Sequence, residues 1–188
     1  MDNTSLSESQ ERRNAAVQAD RAARRRQREA FSAHWDDAWM SGLFERLLRG
    51  GLVPGTRLIG EGFHFRAYLV GEGQPQPLVI RIAKPSFGEG LTANRQRWAK
   101  AMQRALAAEV TLVPPFRIMW SVDDMAIVTP YYPDPVAPGT TYQELVAGLE
   151  AGLLALGLEV TDRYHLRSRE GVIYLVDWSD LREKPRRR

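Results

Sequence analysis

A chain of 188 residues with no cysteine has room for one domain of ordinary size plus an extension, and it excludes disulfides and thiolate metal sites. The formal net charge is a modest +3. No apolar run approaches the roughly 20 residues of a membrane span, and the polar stretch Met1 to Gln10 lacks the apolar core of a signal peptide, so the reading is a soluble cytoplasmic protein with no membrane contact.

Met1 to Gln10 is rich in Ser, Asn and acid and is expected to be disordered. Glu11 to about Arg49 reads as one helix built of Ala, Arg, Gln and Glu. Its first half is polar almost all round, which suits a helix laid on a partner. Its second half carries Phe31, Trp35, Ala38, Trp39, Leu43, Leu47 and Leu48 at intervals of three to five, a stripe for packing. Both tryptophans are expected in the core. Gly50-Gly51 ends the helix.

Strand-like runs follow at Arg57 to Ile59, Arg66 to Val70 and Leu78 to Ala83, punctuated by Gly60, Gly62 and the Gly71 to Pro77 stretch. Thr92 to Glu109 is helical, with Trp98, Met102 and Leu106 on one face. Phe116 to Ser121 and Met125 to Thr129 form a hairpin turning at Asp123-Asp124. Pro130 to Pro138 is an extended connector. A helix starts at Thr140, where Thr141 with Glu144 resembles a capping box, and Leu145, Leu149, Leu153 and Leu156 follow. Tyr164 to Arg167 and Val172 to Asp177 are strands joined at Glu170-Gly171. Strands and helices mixed without strict alternation make the class α+β. The expected division is a tail over residues 1–10, an Arg-rich helical extension over 11–51, a domain over 52–181 and a basic tail over 182–188.

Gly60-Glu61-Gly62-Phe63-His64 lies between two strands. Glycines there let backbone approach a phosphate. A dinucleotide fold would place a helix after them, and here a strand follows, which points to a flap over phosphates or to an ordinary hairpin. His34, His64 and His165 lack zinc-like spacing; His64 reads either as a nucleotide contact or as a plain surface histidine. Arg21, Arg24, Arg25, Arg26 and Arg28, with Arg186 to Arg188, are basic ends that read as solvated faces or as contacts for nucleic acid.

The glycine hairpin, the strand Leu78 to Ala83, the helix after it, the hairpin ending at Thr129-Pro130-Tyr131, and Val176-Asp177-Trp178-Ser179 together resemble the protein-kinase-like superfamily. That superfamily includes the small-molecule and phage kinases related to aminoglycoside phosphotransferases. The resemblance spans Leu58 to Leu181 and implies a minimal fold: a small antiparallel sheet with one helix, then a truncated helical lobe. It also implies a site for ATP and Mg2+. Gly60, Gly62 and His64 would cover the nucleotide. Arg81 falls at the strand lysine's place, with Lys84 as the other candidate; strand alternation puts the two on opposite faces, so one of them serves. Arginine's planar fork is not a conservative replacement for lysine at a tight phosphate contact. The helix offers Arg95, Arg97, Lys100 and Arg104 but no acid before Glu109. Family spacing puts the catalytic base near Glu159 and the metal-binding asparagine near Tyr164, with Asp162 able to fill either role. Asp177 is the metal ligand, with Asp162 as a second carboxylate; alternatively Asp177 caps a strand end.

Two functions follow from these substitutions. The first is a pseudokinase-like binding protein that docks on another macromolecule, resembling compact phage or mobile-element products directed at a host enzyme. The second is an active minimal phosphotransferase that uses Lys84, Asp162 and Asp177.

Overall fold

The computed structural model describes residues 3–51, 53–87, 92–122, 124–161 and 164–184. Two compact units meet in sequence between Trp35 and Asp36. The first is the helix α1 (Asn3–Ala33). It begins inside the stretch expected to be disordered, because a helix once nucleated gains one bond per added residue. Its arginines are partly self-neutralised one turn apart: Arg24 Nε meets Asp20 at 2.7 Å and Arg25 meets Glu29 at 3.7 Å. The Phe31 and Trp35 rings lie 5.8 Å apart.

The second unit opens with α2 (Asp37–Leu48). The single helix expected over residues 11–49 is therefore two. Asp36 causes the break: its extended backbone leaves the helix and its carboxylate accepts from the Trp39 N–H at 2.8 Å, so it caps a new helix start. The buried stripe is Met40, Leu43, Phe44 and Leu47, at helical spacing. Trp39, expected in the core, is 49% exposed; the restart at Asp37 turns it away from that stripe. Gly50 terminates α2 with a φ of 70°, a conformation few side chains adopt.

A five-stranded antiparallel sheet follows. Its strands are β1 (Thr56–Glu61), β2 (Phe65–Val70), β3 (Leu78–Ala83), β4 (Arg117–Ser121) and β5 (Asp124–Pro130), ordered β1-β2-β3-β5-β4. Helix α3 (Thr92–Ala107) bridges β3 and β4 and buries Trp98, Met102 and Ala105. The β4–β5 turn falls earlier than expected. Ser121 already pairs with Asp124, and Val122 holds a φ of 50°; Asp123 lies outside the described residues. This α+β arrangement agrees with the expected small antiparallel sheet and single helix.

Beyond β5 the chain forms β6 (Asp134–Pro135), α4 (Thr140–Ala155), β7 (Leu158–Val160), β8 (Leu166–Arg169), β9 (Val172–Leu175) and β10 (Leu181–Glu183). One small sheet is ordered β6-β8-β9, and β7 pairs with β10. The β8–β9 turn is the expected Glu170-Gly171, both left-handed at φ 53° and 76°. The capping box expected at Thr141 and Glu144 does not form. The helix starts at Thr140, so Thr141 already lies inside the first turn, and the N-cap Gly139 has no side chain to offer. The main core joins Met102, Ala105, Leu112, Met125, Leu149, Leu153, Leu158 and Leu175, so α3, the sheet, α4 and the last ladders close on one apolar interior.

Helix α4 holds two glycines in opposite circumstances. A β-carbon at Gly152 would lie 3.0 Å from Val110 Cγ1, whereas one at Gly148 meets nothing within 4 Å. Gly152→Leu is expected to destabilise the fold by about 1–3 kcal/mol through overpacking. Gly148→Ala is expected to stabilise it by about 0.5–1 kcal/mol through helix propensity. Urea unfolding of the two variants reads both signs.

Candidate functional site

Strand alternation brings one row of side chains from each of β1 and β3 to the same face of the sheet. From β1 these are Arg57 and Ile59; from β3 they are Val79 and Arg81. Below them lie Arg167 of β8 and Val176, the residue before Asp177. The connector residues Pro130, Tyr131 and Tyr132 close the side, and the whole encloses a cavity of about 280 Å³.

Arg81 sits at the back of this cavity. It pairs in register with Ile127 of β5, and its Nη1 donates to Thr129 Oγ1 at 3.0 Å. Burial pushes its pKa down, the Asp177 carboxylate pulls it up, and the charge of Arg167 pushes it down again. The guanidinium stays charged; the shifts show that Asp177 and Arg167 both act on it. Arg167 donates from Nη1 to the Pro133 carbonyl at 2.7 Å and to that of Tyr132 at 3.5 Å. Arg57 is held in a two-pronged ion pair with Glu72, at 2.7 and 3.0 Å.

Lys84, the other candidate anchor, lies elsewhere. Its Nζ donates to Glu61 Oε1 at 3.1 Å and to the Gly62 carbonyl at 3.0 Å, so it braces the glycine hairpin. Glu61 also accepts from Arg66 at 3.1 Å. These two partners, Arg66 first, hold the Glu61 carboxyl below its ordinary range. Within the hairpin, Gly60 lies beside a register shift in the β1–β2 ladder, and the Gly62 N–H donates to the Phe65 carbonyl at 2.9 Å. A β-carbon on Gly60 would meet nothing within 4 Å. Phe63 at the tip is 75% exposed. The His64 ring stands edge-on to Phe63 and Phe87, at 4.9 and 5.7 Å, and its Nδ1 is buried with no hydrogen-bond partner among the described residues.

On α3, the polar side chain turned toward the end of β3 is Arg95. It is buried and donates to the Lys84 carbonyl at 3.0 Å and to the Phe87 carbonyl at 3.1 Å. Trp98, one turn on, donates from Nε1 to the Trp178 carbonyl at 2.7 Å, which ties α3 to the segment that carries Asp177. Asp177 is exposed, and its Oδ1 accepts from the Ser179 N–H and hydroxyl at 3.1 and 2.9 Å. The turn that follows β9 therefore carries its own internal hydrogen bonds.

The expected base position, Glu159, lies on the β7–β10 ladder, paired with Arg182 at 2.8 Å, and does not line the cavity. Tyr164, at the expected asparagine position, donates its hydroxyl to Glu150 at 2.7 Å while its carbonyl accepts from the Tyr142 hydroxyl at 2.6 Å. Burial and then the Glu150 bond push its pKa up. Asp162 lies outside the described residues, as do Arg186 to Arg188. Among the described residues no three His, Cys, Asp or Glu side chains gather where they could hold a metal ion, and no helix is long and apolar enough to cross a membrane.

The structure thus brings Arg81 and Asp177 within electrostatic reach of each other, and places Lys84, Gly62 and Glu61 together at the hairpin. Sequence reasoning missed Arg57 and Arg167 as cavity residues. The signal for Arg57 was its two-residue spacing from Ile59 on a strand. No local signal marks Arg167, which reaches the cavity only because β8 lies beneath the connector.

No protein family profile matches this sequence, and no curated protein does. Among solved structures, the chain is similar to the kinase domain of Mycobacterium tuberculosis PknI. The likeness to a double mutant of that domain has a TM-score of 0.44 at 19% identity, over 69% of this chain and 60% of that one. Against the unsubstituted domain the TM-score is again 0.44, at 18% identity, over 70% and 62%. The chain therefore spans about three fifths of the length of those domains.

Proposed function

We propose that the second unit is a kinase-like binding module that accepts a phosphorylated ligand or docks on a macromolecule without transferring phosphate. The observation that carries this reading is that the candidate anchor on β3 and the buried polar side chain of α3 are both arginines, Arg81 and Arg95, each bonded elsewhere. On the kinase-like reading Arg81 stands for the phosphate-anchoring lysine, and α3 offers no carboxylate to orient it but a buried arginine, Arg95, committed to two backbone carbonyls. Phosphoryl transfer depends on placing groups around the transferring phosphate and stabilising its charge. A wide fork fixed to Thr129, with no carboxylate from α3 to aim it, supplies charge without that placement. Glu159 and Tyr164, the residues at the base and asparagine positions, are both engaged elsewhere. The partner on this reading is a protein, in keeping with the host-enzyme expectation; nucleic acid at the arginine-rich α1 is the lesser alternative, since Arg24 and Arg25 are already paired.

The second reading is an active ATP-dependent kinase using Lys84, Asp162 and Asp177 with magnesium. Among the described residues one exposed carboxylate, whose Oδ1 already serves Ser179, makes no resident metal site; an ion carried in on the nucleotide's phosphates would suit such a site. Radiolabelled ATP, with magnesium or manganese, is expected to show no label transfer above background to the chain or to generic acceptors, in wild type and in Asp177→Ala alike. Label transfer by the wild type that disappears in Asp177→Ala would establish the active reading instead.

A further inference from the structure

We propose that the cavity takes a compact phosphate dianion, either orthophosphate or the phosphate of a monoester, gripped between Arg81 and Arg167, and that it does not read a purine base. This rests on the reading of that cavity as the ligand cleft, and it names the ligand.

Charge comes first. At Arg81 the charge of Arg167 acts as a like charge, opposed by the Asp177 carboxylate first and then by Tyr132. Arg57 does not add to the surplus, because Glu72 neutralises it. Arg81 and Arg167 both line the small cavity and no carboxylate is among its lining residues, so the lining carries net positive charge. Donor geometry comes second. A guanidinium carries five N–H groups in a planar fork suited to phosphate oxygens. Arg81 spends Nη1 on Thr129, and Arg167 spends Nη1 on two connector carbonyls. Those bonds fix both forks and leave most of their donors available.

The connector supplies the argument against a base. A purine bound against an extended segment needs backbone donors. Pro130 and Pro133 have no N–H, and the Tyr131 N–H is spent on the Pro77 carbonyl at 2.9 Å, which leaves a base at most the Tyr132 N–H. The Tyr132 and Pro133 carbonyls, the natural acceptors there, already receive Arg167. Size agrees: about 280 Å³ falls just below the roughly 300–1,000 Å³ of pockets for drug-sized ligands.

The test is calorimetric titration of the whole chain, at low ionic strength and without metal, with inorganic phosphate, AMP and adenosine. Phosphate and AMP are expected to bind within about threefold of each other, and adenosine not to bind. Arg81→Met and Arg167→Met are each expected to weaken phosphate by about tenfold or more, the worth of a charge-assisted bond. Lys100→Met, on an exposed side chain of α3 that does not line the cavity, should change it less than about threefold. Should Arg81→Met fail to fold, Arg167→Met and the charge-preserving Arg81→Lys carry the same test, with Arg81→Lys weakened because the fork is lost. No phosphate binding by the wild type, binding of adenosine, or unchanged affinity in Arg167→Met would each overturn the proposal. Adenosine binding without ATP turnover would remove this site alone; ATP turnover with phosphate still bound at Arg167 would remove the non-catalytic reading alone.

Discussion

Trp98→Ala is expected to cost about 3–5 kcal/mol, the range for removing a large buried aromatic, read as a shift in the urea midpoint. The ring is 6% exposed, stands edge-on to Phe87 at 5.3 Å, and belongs to the main core. Its N–H also satisfies the buried Trp178 carbonyl at 2.7 Å, while Trp178 in turn donates to the Leu175 carbonyl at 2.7 Å. Alanine removes the packing and orphans the carbonyl together. Trp98→Phe separates the two terms: it keeps most of the area and loses the bond, for about 1–2 kcal/mol. If alanine and phenylalanine at this position cost the same, the hydrogen bond and not the ring holds α3 to the Asp177 segment. A loss below about 1 kcal/mol for alanine would contradict the packing described here.

Arg95→Met should lower stability by about 2–4 kcal/mol, because the Lys84 and Phe87 carbonyls lose a charged donor in a buried place. For a domain of this size that is roughly 4–16 °C in Tm. Arg95→Glu is the informative companion. It puts a carboxylate in the buried place on α3, where the new charge faces two carbonyl oxygens. It is expected to destabilise more than methionine does, and to restore no phosphate transfer. An Arg95→Glu variant as stable as the wild type would show that the helix can turn to meet Arg81, and would weaken the reading of Arg95 as a fixed anchor.

The five strands of the main sheet were legible because each is a short β-branched or aromatic run bounded by glycine, proline or acid. The helix positions of α3 and α4 were legible from their leucine, tryptophan and methionine spacing. Three strands were not. β6, β7 and β10 span only Asp134–Pro135, Leu158–Val160 and Leu181–Glu183, too short for a period to declare itself, and they exist because distant partners supply their ladder bonds. The break at Asp36 was available as a cap signal, but the helical propensity around it concealed it. At the site, Arg81 could be reached from strand position. That Lys84 serves Glu61 and the Gly62 carbonyl depends on the closing angle of a hairpin, which sequence spacing does not encode. Arg167 depends on a contact across 34 residues with the Pro133 carbonyl, and no local pattern announces it.

The bond from Trp98 to the Trp178 carbonyl spans 80 residues, and the one from Arg169 to the Pro75 carbonyl spans 94. During synthesis the sheet and α3 therefore leave the ribosome well before the side chains that seal them. Until Trp178 and Leu181 emerge, Leu112 lacks the Leu175 N–H that its carbonyl accepts, at 2.9 Å, and Met102 and Ala105 face water. A nascent chain in that condition exposes the apolar surface that chaperones bind, so ribosome-associated holdases should engage this segment after α3 has emerged and release it once β10 has followed.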